Sequence, residues 1–510
     1  MIVEIWIGYG GVVVFFAVIV LVLERSKRSA TGFSDYATAG RSFGPFYSTM
    51  AFINTWLPGT IFIAFAGYAA SAGVAGFYFV PYSLLAVVLM FFLAKPVHRW
   101  GKRFDLRTQA DLLGLRYGSK PVRVIAAVIG IVASFPWLVL GMQSLTYVFS
   151  YLSFGVVPAT VAVFIGIFVI VVRQIWTVRL GARGIVISDM VQGIVAYGIG
   201  TLIAFGLLVW LLGNGHGFDR IDPAFTTIPG PDSAVGGLYF FSLVLTGALG
   251  AWSWPDIFVR LFTSNGTATI KRSAVQAAPI ILVFGSAVSL FAIAASTYPG
   301  VSEAPDAVWF IVASIGGPVV LTLAGLCVLA GTMGNVGANL QALGTQAAND
   351  IVGVARGSRV ENPRVGQISV AVLAIVAAIF ALSTATSSAG LVQLAQISYQ
   401  GIVQLAPTLF FGIFWRRGTA TGAAAAMIAG FVTAGVLQFF FPLSIPALGG
   451  MTSGVAALIV NALVYVGFAF LAPASAAERA RVDRLFDTLA APDHDQVAQS
   501  ADPALEETAR

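Results

Sequence analysis

Seven residues inside one apolar run carry the first chemical signal. They are Asn54-Thr55-Trp56-Leu57-Pro58-Gly59-Thr60, within residues 46–72. Proline removes a backbone donor and clashes with the preceding turn, and glycine adds backbone freedom. In hydrocarbon a freed carbonyl or amide needs a partner, so a broken helix is tolerated where it is buried or lines a cavity. Unwound carbonyls suit a cation, and exposed helix-end amides suit an anion. The chemistry expected of Pro58 and Gly59 is therefore half of a transport site. A simple proline kink is the alternative reading.

A second interruption lies at Leu245-Thr246-Gly247-Ala248-Leu249-Gly250-Ala251-Trp252-Ser253-Trp254-Pro255-Asp256, where Gly247, Gly250 and Pro255 break an apolar span. Two Gly/Pro-broken spans in corresponding places of two halves point to a transporter binding site. Here they are spans two and seven. A five-helix unit would place spans two to six in one copy and seven to eleven in the other, inverted because five is odd. Chance is the alternative, since glycine is frequent in membrane helices.

The elements that must position these breaks follow from composition. The 510 residues are 58% hydrophobic and 10% charged, with a mean hydropathy of +0.89. A soluble domain carries about 25% charged residues. The expectation is an all-α polytopic membrane protein with thirteen spans, near 3–23, 46–71, 75–95, 122–150, 156–173, 184–212, 236–259, 272–296, 306–349, 365–383, 388–415, 419–441 and 452–472. The ninth is too long for one span and predicts a short outer piece near 306–315, before Gly316-Gly317-Pro318. With the N-terminus outside and the C-terminus cytoplasmic, every Lys and Arg except Arg220 falls in inner loops or the tail, as the positive-inside rule requires. The first apolar run reads as a spanning helix and not as a cleaved leader. The expected divisions are 1–45, first helix and cytoplasmic loop; 46–213, first repeat; 214–235, outer loop; 236–416, second repeat; 417–473, two peripheral helices; and 474–510, cytoplasmic tail.

Several function classes drop out. The net charge of +6 lies in those loops and implies no nucleic-acid partner. Cys327 is the only cysteine and sits in an apolar run, where packing is expected. His98, His216 and His494 lie in loops or tail, which argues against a metal centre. There is no intramembrane His/Cys/Asp cluster and no nucleotide motif, so no enzyme, no catalytic residue and no cofactor are expected. Thr108-Gln109-Ala110-Asp111 predicts an N-capped surface helix, and residues 477–489 predict an amphipathic one.

Gly40-Arg41-Ser42-Phe43-Gly44-Pro45-Phe46, Thr108 to Asp111 with Arg116-Tyr117, Ser188-Asp189-Met190-Val191-Gln192-Gly193, Pro255 to Arg260, and Gly412-Ile413-Phe414-Trp415-Arg416-Arg417 with Gly422-Ala423 occur in one order along the chain. Together they resemble the sodium:solute symporter family, which includes proline, pantothenate, sugar and monocarboxylate symporters. Val80-Pro81-Tyr82 and Phe135-Pro136-Trp137 resemble its monocarboxylate branch. The resemblance implies a LeuT-like fold of thirteen helices with inverted five-helix repeats, in a multi-pass protein of a bacterium-like cytoplasmic membrane. It implies a secondary transporter that imports a small organic solute, such as a monocarboxylate, coupled to Na⁺. Amino-acid or pantothenate transport, proton-coupled or uncoupled, stays open, as does a membrane sensor acting through a partner protein.

The resemblance also assigns positions. Na⁺ in the family lies between the second and ninth helices, which here implies Asn54, Leu57, Gly331, Gly334 and Asn335. Gly334-Asn335 departs from the family's adjacent hydroxyl pair. Either amide oxygens replace the hydroxyls, or Asn54 and Asn335 bond to one another and fill the site. Asp189 is the nearest carboxylate for a proton, with an anchored helix start as its other reading. A solute held between spans two, four, seven and eleven would meet Thr55, Trp56, Thr60, Trp137, Trp252, Ser253 and Gln396. Packing is the other reading for each tryptophan.

Overall fold

The computed structural model describes residues 2–384 and 391–490. The first three residues expected in span eleven, 388–390, and the tail beyond 490 with Arg510 and His494 lie outside the described residues. After α1 (Ile2–Arg25) and α2 (Phe33–Thr38), helix α3 (Pro45–Trp56) begins with proline at its first turn, where a missing N–H costs nothing. It stops at Leu57. A 3-10 turn, Gly59–Phe62, then leads to α4 (Ala64–Ala72).

Next come α5 (Phe79–Arg103), α6 (Gln109–Tyr117), α7 (Lys120–Leu152), α8 (Ala159–Gly193) and α9 (Gly200–Gly213). Helix α8 reverses at Gly181, whose φ of 58° and ψ of −144° favour glycine. A Cβ there would stand 2.4 Å from the Tyr36 carbonyl oxygen. The second interrupted segment is α10 (Tyr239–Gly250), a 3-10 turn at Ala251–Ser253, and α11 (Pro255–Thr263). The chain continues through α12 (Thr267–Ala295), α13 (Val308–Ala313), α14 (Gly317–Gln346), α15 (Gly353–Arg356) and α16 (Pro363–Ser383). It ends with α17 (Leu391–Ile402), α18 (Ala406–Phe414), α19 (Ala420–Phe440), α20 (Ser453–Leu471) and α21 (Ala476–Asp487).

Ten helices among the described residues are long and apolar enough to cross a membrane. Large apolar side chains such as Phe168, Leu202, Phe439 and Leu463 are exposed around them. Water would penalise such patches, and lipid would not. Helix α14 is the hub, packing against α1, α3, α7, α8 and α16. Helix α13 is the short helix expected before the Gly-Gly-Pro break, and α21 falls where a tail helix is expected.

Buried ionic groups tie α6 to α7 and to the helical turn after α14. Thr108 caps α6, accepting from the Asp111 backbone N–H at 3.0 Å, and its hydroxyl donates to Asp350 at 2.6 Å. Arg123 meets Asp350 at 2.7 Å and Asp111 at 3.3 Å. Gln109 donates to the Trp252 carbonyl at 2.6 Å, which ties α6 to the second break. The arginines assigned to inner loops are thus not all in loops. Arg173 and Arg260 lie within α8 and α11 and are buried. Arg173 reaches Ser188 at 2.7 Å, and Arg260 donates to its own helix at the Asp256 carbonyl, 3.2 Å away.

Candidate functional site

The α3 end opens Leu57 and Pro58 out of helical geometry, with ψ angles of 82° and 168°. Gly59 then packs so closely on α14 that a Cβ would lie 2.1 Å from the Val328 carbonyl oxygen and 2.3 Å from the Thr332 hydroxyl. From the other side, a Cβ on Gly331 would lie 2.8 Å from the Gly59 nitrogen. These glycines let the broken strand of α3 touch α14 backbone to backbone. Thr332 faces this break, and its buried hydroxyl has no partner among the described residues.

Asn54 is fully buried and its amide makes bonds in three directions. The nitrogen donates to Asp189 at 2.9 Å and to Gln192 at 3.3 Å. The oxygen accepts from the Tyr197 hydroxyl at 3.1 Å, and the same hydroxyl also reaches the Leu57 carbonyl. Asn335 has other partners: its nitrogen donates to the Thr55 carbonyl at 2.7 Å, and its oxygen accepts from the Trp137 indole at 3.2 Å. The two amides therefore serve different neighbours, and the pairing of Asn54 with Asn335 is not formed. Gly334 lies against Asn54: a Cβ there would sit 1.8 Å from the Asn54 nitrogen.

The solute candidates divide in the same way. Trp137 lies in a cluster of rings, 5.5 Å from both Trp254 and Tyr399. Tyr399 shares a hydroxyl–hydroxyl bond of 3.0 Å with Tyr82, and Tyr82 lies 5.6 Å from Trp56. The Trp56 indole donates to Ser83 at 2.9 Å. Gln396 donates to Tyr239 at 2.7 Å, and the Thr55 hydroxyl bonds its own helix at Ala51. Trp252 is placed elsewhere. Its indole donates to the Ala86 carbonyl at 2.9 Å and its ring stacks on Phe52, 5.5 Å away. Gly247 is a packing residue inside α10, since a Cβ would meet the Tyr82 ring at 2.5 Å; Gly250 contacts Val403 at ordinary distance; Pro255 opens α11. Sequence reasoning missed Tyr82, Trp254 and Tyr399 as site residues; Trp254 carries a signal, an aromatic beside a predicted break, and Tyr82 and Tyr399 lie within α5 and α17 away from either break.

Polar atoms without partners mark what this cluster can do. Among the described residues, Thr60 Oγ1, Ser253 Oγ and Trp254 Nε1 are buried with no hydrogen-bond partner. An unmade buried hydrogen bond costs about 1–3 kcal/mol, so the Trp254 N–H, beside the rings of Trp137 and Tyr399, calls for a ligand or water. An indole N–H can only donate.

Together the interrupted helices, the ten long apolar helices and the exposed apolar surface fit a membrane transporter. The chain belongs to the sodium:solute symporter family, which matches residues 36–430. It is 24% identical to a monocarboxylate transport permease protein of Rhizobium johnstonii, over 92% of this chain and 98% of that one. It is 25% identical to a monocarboxylic acid transporter of Corynebacterium glutamicum, over 84% of this chain and 83% of that one. A Na⁺-coupled sialic acid symporter solved in a substrate-bound outward-open state shares the fold, with a TM-score of 0.72, 16% identity, and coverage of 92% of this chain and 99% of that one.

Proposed function

We propose that this protein is a secondary transporter that carries a small monocarboxylate across the cytoplasmic membrane by alternating access. The observation that carries the reading is the buried Trp254 indole N–H, unpartnered beside the rings of Trp137 and Tyr399 at the second break. A carboxylate accepts from such a donor, with the Ser253 and Thr60 hydroxyls as further donors, and the rings enclose a short apolar chain. No guanidinium is needed, because donors held in a water-poor site are worth more than in water. The names of the two bacterial relatives support the same solute class.

The topology proposed is thirteen passages with the N-terminus outside. Counting each side of Gly73 within Gly59–Arg103 and of Gly181 within Ala159–Gly213, and adding the shorter apolar helix Tyr239–Ser253, supports that number. Two inverted five-helix repeats, 46–213 and 236–416, then carry one break each. The family implies Na⁺ as the co-transported ion. Two of the oxygens that would hold it, the Leu57 carbonyl and the Asn335 amide oxygen, already have protein partners.

Uptake of radiolabelled short-chain monocarboxylates into proteoliposomes tests this, with amino acids and pantothenate as competitors. Saturable uptake that unlabelled monocarboxylates compete and the others do not is the expected result. Competition by amino acids or pantothenate alone would move the substrate assignment. No uptake or binding across the panel would favour a sensor.

A further inference from the structure

We propose that the Asn54 amide occupies the place where the family holds Na⁺, and that transport by this protein does not require Na⁺. The inference rests on the transporter reading above. Three observations carry it.

The first is volume. A serine or threonine at position 334 would place its Cβ 1.8 Å from the Asn54 nitrogen and 2.7 Å from its Cγ. The space into which a hydroxyl-bearing side chain would reach is therefore filled by the amide, and glycine at 334 is what admits it.

The second is polarity. A carboxylate accepts, so the Asn54 amide turns its nitrogen toward Asp189, at 2.9 Å, with Gln192 as a second acceptor at 3.3 Å. The group at this place is a pair of N–H donors. A cation needs oxygens, and an N–H dipole aimed at it is repulsive. The amide supplies to Asp189 part of the positive potential that a cation would, without burying a second charge.

The third is the state of the oxygens. The Leu57 carbonyl accepts the Tyr197 hydroxyl, and the Asn335 side-chain oxygen accepts the Trp137 indole. Positions 334 and 335 carry no hydroxyl. Among the described residues the Thr60 and Thr332 hydroxyls and one oxygen of Asp189 are left without partners. Of the five positions that the resemblance assigns to Na⁺, 334 and 335 thus offer no hydroxyl, and the Leu57 carbonyl and the Asn335 amide oxygen already accept hydrogen bonds.

The consequence is mechanical. Where an ion bridges two helices, its binding free energy biases the closed arrangement. Here Asn54 joins α3 to α8 by its own bonds, and Asn335 joins α14 to α3, so the contact forms without an ion.

The test uses the full-length protein in two arms. In proteoliposomes, initial uptake of a labelled monocarboxylate is compared in NaCl and in choline chloride of equal ionic strength. In detergent, the melting temperature of the solute-free protein is followed by tryptophan fluorescence as Na⁺ replaces choline. Equal uptake in the two salts and an unchanged melting temperature are expected. An Asn54→Ala/Gly334→Ser double variant, which reopens the space and restores one hydroxyl, is expected to gain a Na⁺-dependent rise in melting temperature. A loss of uptake of about tenfold or more in choline, or a saturable Na⁺-dependent rise in the melting temperature of the unmodified protein, would overturn the proposal. If no solute is taken up in either salt, the transport reading fails, and the melting arm on the unmodified protein decides the ion claim by itself.

Discussion

The two helix breaks sit in matching segments of the chain, yet they are finished differently. At the first, the polar side chain beside the break is saturated by the protein itself: Asn54 serves Asp189, Gln192 and Tyr197, and Tyr197 also takes the Leu57 carbonyl. At the second, Ser253 and Trp254 carry buried polar atoms with no partner, and Asp256 and Arg260 have unpartnered atoms one turn on. Thr60, Thr332 and one oxygen of Asp189 also carry unpartnered atoms near the first break, so the contrast lies between the Asn54 amide, whose bonds hold helices together, and the Trp254 indole, whose donor is left over. The lesson is that two broken helices in one chain need not share a job, and the bonding partners, not the proline, tell them apart.

This contrast makes separable predictions: first-break variants should move stability, and second-break variants should move solute affinity. The largest effect is expected for Gly334→Ser, which forces the Asn54 amide out and strands Asp189 and Gln192. Overpacking and lost hydrogen bonds together are worth about 2–5 kcal/mol. A clear drop in melting temperature, relieved by adding Asn54→Ala, is the expected pattern, and an unchanged melt would break the contrast. Tyr197→Phe comes next. It removes the one hydroxyl proton near Asn54 Oδ1 and Leu57 O, at about 1–3 kcal/mol in stability, with little change in the solute KM.

Trp254→Phe acts on the other side of the comparison. The ring contacts with Trp137 and Tyr399 survive, and only an N–H without a protein partner is lost. The solute-free melting temperature should hold while affinity for a monocarboxylate falls about tenfold, the equivalent of one hydrogen bond to a charged acceptor. Ser253→Ala should show the same pattern more weakly, by about threefold in affinity. If either variant destabilised the solute-free protein instead, those atoms would be packing elements and the contrast would collapse.

Much of the fold is legible in the residues alone because its signals are local. Pro58 and Gly59 mark a break, Thr108 caps α6, and the Gly316-Gly317-Pro318 run separates α13 from α14. The positions flanking the first break are legible too, since Asn54, Gly331, Gly334 and Asn335 do meet between α3 and α14. Their chemistry is not. Asn54 finds its partners 135 to 143 residues away on α8 and the turn beyond it, and nothing at Asn54 itself says which side chain its amide will meet. Trp252 and Trp254 fail for a different reason. A 3-10 turn followed by an extended residue points them at different neighbours, a rotation that the 3.6-residue period does not describe. Arg173 and Arg260 read as loop charges because hydropathy counts charge without knowing that a guanidinium will meet Ser188, or a carbonyl of its own helix, inside the protein.

Hydrogen exchange of the backbone amides, measured by mass spectrometry on the full-length protein, addresses both breaks in one experiment. If Asn54 fills the ion place and the second break receives the solute, a monocarboxylate slows exchange across residues 251–263, and replacing choline with Na⁺ leaves residues 53–62 unchanged. Protection of residues 53–62 by Na⁺, with no effect of the carboxylate at residues 251–263, would contradict that division of labour.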